Sequence, residues 1–174
     1  PLGLDFRAPD FDTTRRQLEH DVEFVDLAGL TVMPGICDAH AHFLWWGNTL
    51  AQADLSRANS EAECLDILKG HVEDGDGWVL GHGWAHNLWP DAKLPSRESL
   101  DRLFPDRPVM LDSKCGHLTW VNSKALQVAG VTDEVVDPEG GELERRDGRL
   151  TGILKETASR LVARKVGPLT EEQR

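Results

Sequence analysis

The sequence has few of the features that mark membrane or nucleic-acid-binding proteins. No apolar run approaches the ~20 residues that a bilayer span requires, so we expect no membrane partner. Basic residues are scarce, with 19 Lys and Arg against 30 Asp and Glu, and the formal net charge is −11. Because this charge repels phosphate backbones, nucleic acid is not an expected partner either.

Cysteine is also rare, with only Cys37, Cys64 and Cys115 in the chain. The odd number and the absence of paired spacing favour reduced thiols over a disulfide framework. We therefore expect a cytoplasmic protein. Its 174 residues, 40% of them apolar, suffice to bury a core.

The most informative stretch is residues 32–42, which read Val-Met-Pro-Gly-Ile-Cys-Asp-Ala-His-Ala-His. On a strand, alternation would place Asp38, His40 and His42 on one face and the small residues between them on the other. Imidazole nitrogens are good ligands for Zn²⁺ and similar ions, and a strand would fix the two rings side by side. We predict that His40 and His42 bind a metal; the alternative is that they are surface or packed histidines.

Local signals predict alternating helices and strands through the middle of the chain. A capping box at residues 60–63 precedes apolar residues at helical spacing, and Pro, Gly and Asp clusters separate the next segments. This order is typical of a mainly parallel sheet. The predicted elements are a helix over 61–73, a strand over 78–81, a helix over 96–104 and a strand over 109–112.

The pattern changes after residue 121. A short helix over 122–129 is stopped by Gly130, and an irregular loop follows. Asp147-Gly148 is a turn pair that favours a tight hairpin between strands over 141–145 and 149–153. The last predicted helix spans residues 154–165.

Several of these motifs, in this order, resemble one enzyme family. Residues 25–31 read Val-Asp-Leu-Ala-Gly-Leu-Thr and lead into the Pro-Gly-x-x-Asp-x-His-x-His string, which resembles the amidohydrolase superfamily. The block Gly-His-Gly-Trp at 81–84, the block at 116–126 and Thr-Gly-Ile-Leu-Lys-Glu at 151–156 resemble its branch that contains N-substituted formamide deformylase. The resemblance runs from about residue 25 to residue 158.

The resemblance implies an α/β fold, the amino-terminal part of a (β/α)₈ metal-hydrolase barrel. It implies a partial small β-domain over 1–34, the first β/α units of the barrel over 35–121, and an insertion with a hairpin and a following helix over 122–174. Since a typical barrel needs about 250 residues, we expect this chain to be the amino-terminal portion of a larger enzyme.

The resemblance also suggests a third metal ligand. In this superfamily an anionic group lies between two metals, and the Thr-Gly-x-x-x-Glu spacing points to Glu156, with the neighbouring Lys155 as the competitor. On the predicted helix the two side chains would point about 100° apart, so only one could face the site. The alternative is that both are ordinary charges on an amphipathic helix.

Three further residues are candidates for contacts with the substrate. His82 follows a predicted strand, at the end of the sheet where active-site groups of barrels collect; the alternative is a satisfied turn histidine. Trp84 could wall an apolar pocket or simply pack its loop. His117, next to Gly116, could hydrogen-bond a substrate carbonyl.

The function expected from the resemblance is metal-dependent hydrolysis of an amide or formamide-like C–N bond in a small molecule. One or two divalent ions, with zinc as the first candidate, would polarise the carbonyl and activate water. The catalytic carboxylate would lie beyond Arg174, so no catalytic residue is predicted in this chain, and self-association is left open. The alternative is a folded, non-catalytic module that binds metal weakly or not at all.

Overall fold

The computed structural model describes residues 28–39, 43–71 and 77–167. The chain divides into two compact units, Pro1–Ala41 and His42–Arg174. The described part of the first unit has a turn at residues 28–29 and neither helix nor strand. The strand predicted to lead into the two histidines is therefore wrong for residues 36–39, because alternation alone does not supply the pairing partner that a strand needs. His40 and His42 lie outside the described residues.

The second unit is built on one six-stranded sheet, with strand order β1-β2-β3-β4-β6-β5. Strands β1, β2 and β3 pair in parallel, and the three remaining pairings are antiparallel. The sheet therefore begins as the predicted parallel one and continues as an antiparallel one. The strands are β1 Ala53–Asp54, β2 Val79–Trp84, β3 Val109–Ser113, β4 Leu118–Val121, β5 Gly141–Arg146 and β6 Arg149–Glu156.

Helices cover both faces of this sheet. The described helices are α1 Phe43–Thr49, α2 Glu61–His71, α3 Arg97–Leu103, α4 Ser123–Ala129 and α5 Ser159–Ala163, with a 3₁₀ turn at His86–Leu88. None of them has the length and apolar character of a membrane span.

The first face of the sheet packs against α2 and α3. Leu68 of α2 and Leu100 of α3 are fully buried there, in one cluster with Leu111 of β3 and Trp120 of β4. Asn122 ties this layer to the next, since its buried amide caps α4 at Ala125 and also bonds the backbone of three other segments.

The opposite face packs against α4 and α5. Leu126 of α4 and Val162 of α5 join Met110, Val121 and Leu154 of the sheet in a second cluster. Strand alternation explains the division, because Met110 and Leu111 are neighbours in sequence and point to opposite faces. We refer below to the first face and the second face in this sense.

A glycine bulge changes the face on which β2 ends. The pairing of β2 with β3 shifts register between His82 and Trp84, and Gly83 between them has φ +93°. A left-handed residue in a bulge shifts the alternation by one position, and only glycine adopts this conformation without strain. Trp84 is thereby turned into the first-face cluster, and β2 extends three residues beyond its predicted end.

The carboxyl-terminal elements correct one prediction and confirm another. The hairpin forms as predicted, with Asp147 and Gly148 at positive φ in its turn, and it joins the main sheet through the β4–β6 pairing. The helix predicted over 154–165 is wrong at its start. Residues 154–156 continue strand β6, and the helix spans only Ser159–Ala163, because pairing with β4 and β5 overrides the local preference of these residues.

Candidate active site

Four strands end at the same end of the sheet. Strands β1, β2 and β3 are parallel, and β6 runs in their direction because it is antiparallel to β4, which is antiparallel to β3. We call this the carboxyl end; it carries the last residues of these strands and the β3–β4 turn at 114–117. In sheets of this kind, ligand-binding groups gather at the carboxyl ends of strands.

A row of polar residues crosses three of these strands and the adjoining β4. In register, Asp54 of β1 is opposite His82 of β2, His82 is opposite Asp112 of β3, and Asp112 is opposite Thr119 of β4. Residues directly opposite one another share a face of the sheet. We call these four residues the polar row; it lies on the second face, because Asp112 and Met110 are two residues apart on one strand.

Asp112 is the half-buried carboxyl group of the polar row. Burial raises the pKa of its carboxyl group, while a hydrogen bond from Thr119 and the nearby His82 act in the opposite direction. The Thr119 hydroxyl donates to Asp112 Oδ1 at 2.8 Å. Asp112 is therefore a carboxyl group that holds its proton to higher pH than an exposed aspartate does.

Asp54, at the other side of His82, behaves differently. Its Oδ1 accepts the backbone N–H of Ser56 at 2.9 Å, and hydrogen bonds from Ser56 lower the pKa of this exposed carboxyl group. His82 thus lies between one carboxyl group that favours the charged form and one that favours the neutral form. Such a pair of unlike carboxyl groups is typical of sites that move protons.

His117 and Glu156 meet one step further toward the carboxyl end. His117 Nδ1 lies 3.0 Å from Glu156 Oε1 and 3.1 Å from Oε2. The backbone N–H of Glu156 also donates to the His117 carbonyl at 2.9 Å, so this pair extends the β4–β6 ladder. Both side chains are exposed, 65% and 57% respectively, and are open to a ligand. Two predicted site residues, 39 positions apart, are therefore in contact.

Lys155 and Glu156 lie at the end of strand β6 rather than on a helix, and their side chains have different partners. Thr119 is opposite Leu154, so Leu154 lies on the second face. By alternation Lys155 points to the first face, whereas Glu156 has a left-handed φ of +53° and its carboxylate contacts His117. Lys155 Nζ bonds Glu142 Oε1 at 2.7 Å. The geometry thus supports Glu156 as the residue that faces the candidate site.

The third candidate pocket residue, Trp84, is a core residue with one face at a cavity. It is fully buried, its indole N–H donates to the Leu111 carbonyl at 2.9 Å, and its ring lies edge-on to Trp120. An open cavity of about 210 Å³ lies beside it, walled by Trp84, residues 85–88, residues 113–115 and Leu118. Its mostly apolar wall suits a small apolar group.

Cys115 opens onto the same cavity. Burial raises the pKa of its thiol, but hydrogen bonds from Ser113 and from backbone N–H groups of residues 115, 117 and 118 outweigh this and lower the pKa overall. The Ser113 hydroxyl lies 3.3 Å from the sulfur. Cys115 is exposed, unlike the small core residue that a single cysteine usually is.

The side-chain atoms at the carboxyl end are of the chemical types that bind divalent ions. Imidazole nitrogen and carboxylate oxygen are both ligands of zinc and related metals, and His117 and Glu156 present both types. Within residues 28–39, 43–71 and 77–167 no three His, Cys, Asp or Glu side chains are grouped to hold an ion. Because His40 and His42 lie outside these ranges, the ligand roles predicted for His40, His42 and Glu156 stay predictions.

The family is decided by comparison with known sequences. The model of the amidohydrolase family matches residues 23–174. The chain belongs to the amidohydrolase family. YtcJ of Bacillus subtilis, named as an amidohydrolase, is 35% identical over 154 residues, which cover 87% of this chain and 29% of that protein. N-substituted formamide deformylase of Arthrobacter pascens is 32% identical over 148 residues, covering 82% of this chain and 27% of that protein.

A solved structure agrees with this assignment. An uncharacterized metal-dependent hydrolase from Pyrococcus horikoshii superimposes with a TM-score of 0.55 and 28% sequence identity, covering 93% of this chain and 31% of that chain. The amidohydrolase resemblance predicted from the motifs is confirmed. The chain spans less than a third of the length of each of these relatives.

The sequence motifs pointed to some residues of the candidate site and not to others. They pointed to His82, His117 and Glu156, which the sheet brings to its carboxyl end. They did not point to Asp54, Asp112 and Thr119, because a row across strands depends on register. The aspartate that closes the apolar run Val-Met-Leu-Asp at 109–112 was the available signal.

Proposed function

We propose that the full-length polypeptide hydrolyses the C–N bond of a small amide or formamide-like molecule with the help of a divalent metal ion, and that this chain is its amino-terminal portion. Hydrolase chemistry follows from the family and from the metal-dependent hydrolases of similar structure. The C–N bond is suggested by the formamide deformylase of Arthrobacter pascens. We also propose that the sheet belongs to a (β/α)₈ barrel, that the ion is zinc, and that the protein acts in the cytoplasm.

The observation that carries this proposal is the position of Glu156. Its exposed carboxylate lies at the carboxyl end of the sheet, in contact with His117. In the proposed enzyme, His40, His42 and Glu156 supply two imidazoles and one carboxylate to the ion. When bound, a divalent ion lowers the pKa of water and polarises a carbonyl group.

The other residues of the carboxyl end bind and orient the substrate in this proposal. Asp112 bonds Thr119 through Oδ1 and is paired in register with His82. In this proposal Asp112 and His82 form hydrogen bonds to polar atoms of the substrate. The cavity next to Trp84 takes an apolar substituent and keeps water from that side of the bond.

The experiment compares the full-length polypeptide with residues 1–174. We expect the full-length polypeptide, loaded with Zn²⁺, to release formate or a carboxylate from N-substituted formamides or N-acyl amines. It should lose most of its kcat/KM on His40→Ala, because this variant lacks one of the two proposed imidazole ligands. Residues 1–174 alone should give no turnover.

Two results would contradict this proposal. Turnover by residues 1–174, abolished by His40→Ala, would show that the catalytic groups are all in this chain. A full-length polypeptide that binds no Zn²⁺ on loading and shows no hydrolase activity would instead favour a non-catalytic module.

A further inference from the structure

The backbone of Glu156 is in a conformation that its residue type rarely adopts. Its φ is +53°, in the left-handed region, where a non-glycine residue is strained. Its N–H is bonded to the His117 carbonyl, and its carbonyl accepts the Ser159 hydroxyl at 2.8 Å. A strained backbone held by bonds at both sides indicates that the placement of this side chain has a function.

His117 fixes the same side chain from its carboxylate end. Nδ1 is within hydrogen-bonding distance of both carboxylate oxygens, and the backbone bond between the two residues holds the ring opposite the carboxylate. Gly116 has φ +75°, so the turn before His117 uses a conformation natural to glycine to bring the ring into place. Glu156 is thus hydrogen-bonded to His117 through both its side chain and its backbone.

An exposed contact of this kind contributes little to fold stability. The role of this contact is therefore to orient the Glu156 carboxylate. A carboxylate that ligates a metal is commonly hydrogen-bonded by a neighbouring group, and loss of that neighbour typically costs about 10- to 100-fold in metal affinity.

We propose that His117 is a positioning residue that holds the Glu156 carboxylate in its ligating orientation through an Nδ1–H hydrogen bond, rather than the substrate-contacting residue suggested by its sequence motif. This inference rests on the proposed function, because it takes Glu156 as a metal ligand. It assigns the proton to Nδ1 and leaves Nε2 without a part in the metal site.

Replacement of His117 by Asn or by Gln distinguishes the roles of its two ring nitrogens. In His117→Asn the amide nitrogen can take the place of Nδ1, whereas in His117→Gln it can reach the place of Nε2. The measurement is the affinity for Co²⁺ of the full-length polypeptide, followed by the visible absorption of the bound ion, with the unfolding midpoint in urea recorded for each variant.

We expect His117→Ala to weaken Co²⁺ binding by about 10- to 100-fold without a change in the urea midpoint. His117→Asn should restore most of the affinity and His117→Gln should not. Restoration by Gln alone, loss in all three variants, or wild-type affinity in His117→Ala would each overturn the inference.

Glu156→Gln separates this inference from the proposed function. If Glu156→Gln loses Co²⁺ while His117→Ala keeps it, the positioning role fails and the metal role of Glu156 stands. If Glu156→Gln binds Co²⁺ like the wild type, the ligand assignment of the proposed function fails as well.

Discussion

Asn122, which follows β4 and caps α4, should be highly sensitive to substitution. Its side chain is fully buried and makes four hydrogen bonds to backbone groups. Oδ1 accepts the N–H groups of Val109 and Ala125, each at 2.9 Å, and Nδ2 donates to the carbonyls of Phe104 and Arg107 at 2.9 and 2.8 Å. One amide thus joins β3, the end of α3, the loop after it and the first turn of α4.

Asn122→Ala removes all four bonds and leaves the backbone partners buried. At about 1 kcal/mol for each net hydrogen bond, and with the larger cost of unpaired buried groups partly relieved by water entering the cavity, we expect a loss of about 3 to 5 kcal/mol. With an m-value of about 2 kcal/mol per molar urea, the unfolding midpoint should fall by roughly 2 M.

The assay is urea unfolding followed by tryptophan fluorescence, with Asn87→Ala as the matched control. Asn87 is exposed at the cavity rim, so its replacement should change stability by less than about 0.5 kcal/mol. Asn122→Asp keeps the accepting oxygen and loses both donors, and it should also destabilise. A loss below about 1 kcal/mol in Asn122→Ala would refute the claim that this amide holds the layers together.

Three further outcomes are expected. Gly152→Ala should destabilise by about 3 kcal/mol or more in urea unfolding, because Gly152 has φ +93° and a Cβ there would clash with the backbone oxygen of Val121. Gly148→Ala, at φ +76° with open space around it, should cost only about 1 kcal/mol, and equal losses would contradict this. Burial raises the pKa of Asp112 above its unfolded value of about 3.9, so ionisation of this carboxyl group lowers the stability of the folded state as the pH rises through that value. Asp112→Asn should therefore gain stability relative to the wild type above about pH 4. A pH-independent difference between the two proteins would contradict this. Iodoacetamide should alkylate Cys115, whose thiol pKa is lowered, well before Cys64. Burial and two nearby glutamates raise the pKa of the Cys64 thiol to about 12. Mass spectrometry that shows the reverse order of alkylation would refute this.

Local chemistry made several elements predictable. The Ser60 hydroxyl accepts the Glu63 N–H at 3.1 Å, as the capping motif requires, although the Glu63 carboxylate bonds the backbone of Asn59 rather than of Ser60. Gly130 ends α4 in the left-handed conformation. Such signals act within four residues, so the sequence pattern contains them in full.

The remaining differences come from contacts between distant segments. The strand was predicted to end at Gly81, yet β2 continues through Gly83. Both glycines are needed there, since a Cβ on Gly81 would lie 2.9 Å from Leu111 Cδ2 and one on Gly83 would lie 3.0 Å from the Ser56 backbone. Likewise, Lys155 and Glu156 lie in a stretch rich in helix-forming residues and become a strand through pairing with β4 and β5.

The candidate site likewise combines features set by local sequence with features set by contacts between distant segments. The types of its residues were readable from the motifs, but the contact between His117 and Glu156 depends on the β4–β6 register, and the polar row depends on three registers at once. Register is set by packing and pairing over long sequence separations, which a single sequence does not display.

The most direct test of the proposed metal role is the metal content of the full-length polypeptide after loading with Zn²⁺ and dialysis, measured by mass spectrometry. We predict that Glu156→Gln lowers the number of bound ions, because a neutral amide cannot offset the charge of the metal, and that Lys155→Ala leaves it unchanged, because Lys155 points to the other face and bonds Glu142. A lower metal content in Lys155→Ala with full occupancy in Glu156→Gln, together with activation by added bicarbonate, would identify a carboxylated lysine as the ligand and contradict the account.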